Sequence, residues 1–173
     1  MQDDMRVLLH PARAEQLMML AEKWRCNSSE AVERLIRDSI AQGNLPDTTP
    51  GLEVAAFGNL VAFKIDFDRT PPMSWQQAMK ISHALGQLVN GKNDGFRAAY
   101  SADTSLIFTR TDDGFAISFT SPDNRKTVTV TVTTSILDDL SRQFNAAAMK
   151  AQANKTGRPG KLPSADQSAE MRA

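Results

Sequence analysis

Apolar side chains recur every three to four residues in two early stretches of the chain, and then at every second residue through much of its remaining length. In ARAEQLMMLAEKWR (12–25), Leu17, Leu20, Ala21 and Trp24 fall at i, i+3, i+4 and i+7, while Glu15, Glu22, Lys23 and Arg25 lie elsewhere. That spacing predicts an amphipathic helix. CNSSE then interrupts it. Asn27 followed three residues later by Glu30 has the form of a capping box, and Ser28 and Ser29 suit a first helical turn. A second helix is expected, with Val32, Leu35, Ile36 and Ile40 as its apolar set and Gly43 as its stop. Ahead of both helices, MRVLLHP (5–11) reads as a short extended segment. Alternation there turns Val7 and Leu9 to one side and Arg6 and Leu8 to the other.

The period changes after residue 51. LEVAAF and LVAFKIDF flank Gly58-Asn59 at the spacing of a two-residue hairpin, with Val61, Phe63, Ile65 and Phe67 on one face and Lys64, Asp66 and Asp68 on the other. An S-x-x-Q box at Ser74 and Gln77 opens a helix that runs to Asn90-Gly91, with Trp75, Ala78, Met79, Leu85 and Val89 as its approximate buried stripe. GFRAAY, SLIFTR, FAISFT and TVTVTVT come next as an antiparallel meander. Leu106/Phe108, Phe115/Ile117/Phe119 and Val128/Val130/Val132 form its core face, covered by a last helix carrying Ile136, Leu137, Leu140 and Phe144 together with the helix that begins at Ser74. The other face is a weakly polar wall of Thr127, Thr129, Thr131, Ser118, Thr120, Thr109 and Ile107. Such a wall suits a solvated sheet face, since threonine favours strands and antiparallel sheets often face water. It also suits an oligomer interface or a groove for a peptide or single strand.

The fold class expected is therefore α+β. A helical unit spans residues 1–43, a linker 44–51, an α+β unit with an antiparallel sheet and two helices 52–150, and a disordered tail 151–173. The linker lies within QGNLPDTTPG (42–51), rich in turn formers, and the tail has no aromatic residue and no periodicity.

At 173 residues and 41% apolar the chain can bury a core, and its formal net charge of zero does not announce a nucleic-acid partner. Residues 1–44 carry six Lys/Arg against seven Asp/Glu, and only the tail, with Lys155, Arg158 and Lys161, is net basic. The longest nearly apolar run, LEVAAFGNLVAF, is too short and too interrupted to span a bilayer, and MQDDM has no leader character, so a cytoplasmic protein without a membrane partner is expected. Cys26 is the single cysteine, which leaves no intrachain disulfide.

A strand and two helices in about forty residues bury too little apolar area to stand alone. A second copy supplies what is missing: two strands paired antiparallel across a two-fold axis under four helices satisfy both the strand edge and the apolar helix faces. On the strand ending in Leu9, the Leu17/Leu20/Ala21/Trp24 helix, the NSSE turn and the AVERLIRDSI helix, residues 5–42 resemble the ribbon-helix-helix DNA-binding proteins of the Arc and MetJ type. The resemblance covers about a quarter of the chain. It differs from the family pattern in the outward Leu8 and in His10, which separates Leu9 from Pro11.

The resemblance implies a homodimer that lays a two-stranded ribbon in the major groove of double-stranded DNA. Arg6 and Leu8 would then face the bases, Arg6 towards guanine O6 and N7 and Leu8 towards a thymine methyl. Asn27, Ser28 and Ser29 at the start of the second helix would hold a phosphate. The function implied is that of a transcriptional repressor or autoregulator. The alternative is a protein-interaction factor, an antitoxin or DNA-processing accessory protein, whose residues 52–150 grip a protein partner while the N-terminal unit chiefly dimerises.

Catalytic chemistry is not expected. His10 and His83 lie far apart with no metal-binding spacing, and no glycine-rich phosphate loop occurs. Asp66 and Asp68 share a strand face without a third ligand, and Asp138 and Asp139 sit where a helix dipole favours acids. No cofactor is expected.

Overall fold

The computed structural model describes residues 9–66, 68–100, 104–120 and 126–156. The chain divides into two compact units, Met1–Asp47 and Thr48–Ala173, with the division inside the turn-rich 42–51 segment.

Among the described residues the first unit contains two helices, α1 (Pro11–Trp24) and α2 (Ser28–Ala41). His10 caps α1, its Nδ1 accepting from Ala12 N–H at 3.3 Å, and Pro11 takes the first helical position, where a missing N–H costs nothing. The helix thus begins one residue earlier than its periodicity suggests. It ends in a left-handed Arg25 (φ 55), and Cys26 N–H closes the turn on Ala21 O at 3.0 Å. Asn27 opens α2 immediately, so the two helices are joined by a link with almost no slack. Ala21 and Ala31 are the buried hydrophobic residues here, and the Arg34 guanidinium lies 4.4 Å from the centre of the Trp24 ring.

In the second unit, β1 (Leu52–Phe57) and β2 (Leu60–Ile65) form the expected hairpin, with Phe57 opposite Leu60 and Gly58 at φ 58 in the turn. Val61, Phe63 and Ile65 are fully buried, as the alternation predicts. The strand ends at Ile65, and Phe67, expected on its buried face, lies outside the described residues. Asp66 turns left-handed (φ 53) as its N–H bonds Gly51 O at 2.6 Å, and β3 (Asp68–Arg69) doubles back on β2. β4 (Met73–Ser74) pairs with the other end of β2.

Ser74 caps α3 (Trp75–Val89), and the capping box with Gln77 is complete in both directions. The buried stripe differs from the expected one. Ala78, Ile81, Ala84, Leu85 and Leu88 are buried, while Met79, rotated about 100° from Ala78, is 39% exposed. The meander is present as β5 (Gly95–Ala99), β6 (Ser105–Thr111), β7 (Gly114–Thr120) and β8 (Thr127–Val132), in that spatial order and antiparallel throughout. Leu106, Phe108, Phe115, Ile117 and Phe119 are at most 1% exposed on its core face.

The last helix, α4 (Thr134–Thr156), runs past residue 150. Its first six residues beyond the expected tail boundary are therefore helical, because Ala147, Ala148 and Ala151 continue the buried face of Leu137, Leu140 and Phe144. Residues 157–173 of the expected tail lie outside the described residues. α3 and α4 pack together, and one core joins them to both sheets. Ser82 Oγ donates to Ser141 O and Ser141 Oγ to Ser82 O, at 2.8 and 2.9 Å. Phe144 meets Phe63 with ring centres 5.1 Å apart. At the far end Asn154 Nδ2 donates to Gly58 O at 2.9 Å, latching α4 to the hairpin tip. Arg110 donates to Leu88 O at 2.6 Å and so ties β6 to the carboxyl end of α3.

Candidate nucleic-acid interface

The N-terminus of α2 is built by Asn27. Its Oδ1 accepts from Glu30 N–H and its own N–H donates to Glu30 Oε2, both at 2.9 Å. Ala31 N–H bonds Asn27 O. These bonds leave the N–H groups of Ser28 and Ser29 as the first-turn donors outside the capping network, on exposed residues. Asn27, Ser28 and Ser29 thus do sit together at one helix start. Their parts differ, however. Asn27 is engaged in closing the box, and only the two serines offer main-chain donors to an anion. The Glu30 carboxylate adds a negative charge beside them, which raises the cost of bringing a phosphate close.

Asn27→Ala is expected to cost about 0.5 to 2 kcal/mol of stability through loss of the cap, read as a lower melting temperature of the helical signal by circular dichroism. Ser28→Ala breaks no side-chain bond of the capping box and serves as the comparison.

Arg6 and Leu8, the expected base-facing pair, lie outside the described residues, as do Met5 and Val7 of the segment expected to be extended. Leu9, its expected inward residue, is 47% exposed. Three of the four apolar residues expected on α2 are uncovered as well, Val32 at 40%, Leu35 at 46% and Ile36 at 48% exposed, while Ile40 is half-buried. A row of three aliphatic side chains at i, i+3 and i+4 left in water is unusual for a finished surface. The Trp24–Arg34 contact has no signature in the sequence, because it depends on the angle at which α2 leaves Asn27.

The wall of the meander is an open surface. Thr109, Thr127, Thr129 and Thr131 lie along it with Ile107, Ser118 and Thr120, the last three half-buried. Cross-strand hydroxyl pairs line it, Ser118–Thr129 at 2.9 Å and Thr120–Thr127 at 3.1 Å. Arg97 on β5, opposite Ile107, brings a cationic side chain to the same sheet.

Among the described residues no group of three or more His, Cys, Asp or Glu side chains could hold a metal ion. His83 lies against Gln87 at 3.0 Å. No described helix is long and apolar enough to cross a membrane. Burial pushes the Tyr100 phenol above its ordinary pKa, with the Thr70 side chain pulling it partly back. That contact is loose, since the hydroxyl makes no well-formed hydrogen bond.

No family model, curated protein or solved structure matches the chain.

Proposed function

We propose that the chain is a homodimeric, sequence-specific DNA-binding protein of the ribbon-helix-helix kind, acting as a transcriptional repressor or autoregulator. The observation that carries the reading is the uncovered Val32, Leu35 and Ile36 row on a unit in which, among the described residues, the buried hydrophobic ones are two alanines. A second copy buries that row and pairs the extended segments around residues 5–9, which is the arrangement the resemblance implies. Double-stranded DNA then meets Arg6 and Leu8 from the ribbon, and a phosphate meets the Ser28 and Ser29 N–H groups.

Arg6→Ala is expected to remove sequence preference while leaving the dimer folded, since a bidentate arginine–guanine pair discriminates by about 1 to 3 kcal/mol. The measurement is a gel-shift titration of an operator, recovered from a random duplex library, against scrambled duplex. Unchanged discrimination by the variant counts against the reading, and a library that yields no enriched half-site overturns it. Binding must also weaken steeply with salt, because phosphate contacts release counterions. Salt-insensitive association would point to the protein-interaction role instead.

A further inference from the structure

β8 is an edge strand: among the described residues it pairs with β7 and with no other strand. Natural sheets guard such edges with lysine, proline, bulges or a covering element. β8 has none of the sequence devices. Its six residues alternate threonine and valine without a charge, and they pair with β7 in unbroken register.

The core face thins at this edge. Val128 and Val130 are only partly buried, whereas Ile117 and Phe119 one strand inward are at most 1% exposed. The opposite edge, β5, is different, with Gly95 and Arg97 in its short run.

Residues 127–133, TVTVTVT, read the same in both directions about Val130. In an antiparallel pair, directly opposed residues share a face. Two copies of this strand related by a two-fold axis at Val130 therefore place Val128 opposite Val132, Thr129 opposite Thr131 and Val130 opposite itself, with every valine on the core side. Lys126 falls outside the palindrome, so the two lysines lie at opposite ends and do not meet. The threonine pairs repeat the hydroxyl chemistry already present at Ser118–Thr129 and Thr120–Thr127.

We infer that β8 is a homotypic docking edge, which pairs antiparallel with β8 of a second copy about Val130 and joins the two meanders into one continuous sheet. A heterologous peptide would need no such symmetry in its acceptor. The inference extends the proposed dimer: six residues of edge make a small contact, which holds in a pair of chains already joined elsewhere. The two interfaces are nevertheless read separately by the test.

In a Cys26→Ser background, Val130→Cys places two thiols across the axis. Directly opposed strand residues have Cα atoms about 4.5 to 5.5 Å apart, within disulfide range. Under mild oxidation, Val130→Cys is expected to cross-link at least ~10-fold faster than Thr109→Cys, which sits inside the open wall. Thr129→Cys combined with Thr131→Cys gives the same result without touching a core-side position. Equal rates for edge and wall cysteines overturn the inference, as does an unchanged Val130→Cys rate in a chain that also carries Thr129→Lys and Thr131→Lys. Dependence on protein concentration separates the readings. A rate independent of concentration means that the strands meet within an existing dimer. A rate that rises with concentration, with the edge still favoured over the wall, keeps β8 pairing and removes the N-terminal dimer.

Discussion

Leu35→Glu together with Ile36→Glu is expected to leave the chain monomeric at low micromolar concentration and unable to shift a DNA duplex. Both side chains are nearly half exposed on a single copy, so the change costs that copy little packing. In the dimer each would be buried, and a fully buried Leu or Ile contributes about 1.5 to 3 kcal/mol. The two-fold axis doubles the count. Replacing these side chains by carboxylates also buries unpaired charge, so the loss exceeds the apolar area alone. With Ala21 and Ala31 as the buried hydrophobic residues among those described, the N-terminal unit has little to hold α1 and α2 together once separated. Helical circular dichroism should therefore fall along with the sedimentation coefficient. A variant that stays dimeric and still binds its operator removes the α2 face from the interface, and with it the main support for the proposed function.

The second large effect concerns the other unit. Gly114→Ala is expected to lower its stability by about 2 to 5 kcal/mol, the sum of backbone strain and steric crowding. Gly114 has φ 145, and a Cβ built there lies 2.5 Å from Val132 O. The atom it meets is main chain of β8, so no side chain can swing away. Either β8 shifts or the turn at Asp112-Asp113 reshapes. Gly58→Ala is the control, since Gly58 also has positive φ (58) but open space around it, and only the backbone term of about 1 to 2 kcal/mol applies. A thermal or urea melt separates the two variants. Equal losses would show that the approach of Val132 to Gly114 has no energetic weight.

Local chemistry makes much of this fold legible. The boxes at Asn27/Glu30 and Ser74/Gln77 involve residues three apart, so the sequence contains both halves of each motif. The meander is legible because a period of two persists through Leu106–Phe108, Phe115–Phe119 and Val128–Val132. Asp66 is not, because its left-handed turn breaks an alternation that continues formally to Phe67, and the bond that fixes it comes from Gly51. The extension of α4 is hidden for a different reason. Alanine at 147, 148 and 151 gives a weak hydrophobic signal, yet these small side chains are what let the helix lie close against the core.

At the candidate interface, the meeting of Asn27, Ser28 and Ser29 at one helix start is a direct consequence of the capping signature. The exposure of Val32, Leu35 and Ile36 is not, since periodicity identifies an apolar row but says nothing of what covers it.

α2 ends at Ala41, and the N–H groups of Gln42, Gly43 and Asn44 close it on Asp38 O, Ile40 O and Ser39 O. Thr49 anchors the chain where it enters the second unit. Its Oγ1 accepts from Gln143 Nε2 on α4 at 3.1 Å, and it bridges to Leu52, so the chain is pinned to the second unit as soon as it arrives there. Loss of α4 would therefore also release the entry to β1, so the last described helix holds the start of this unit's first strand in place.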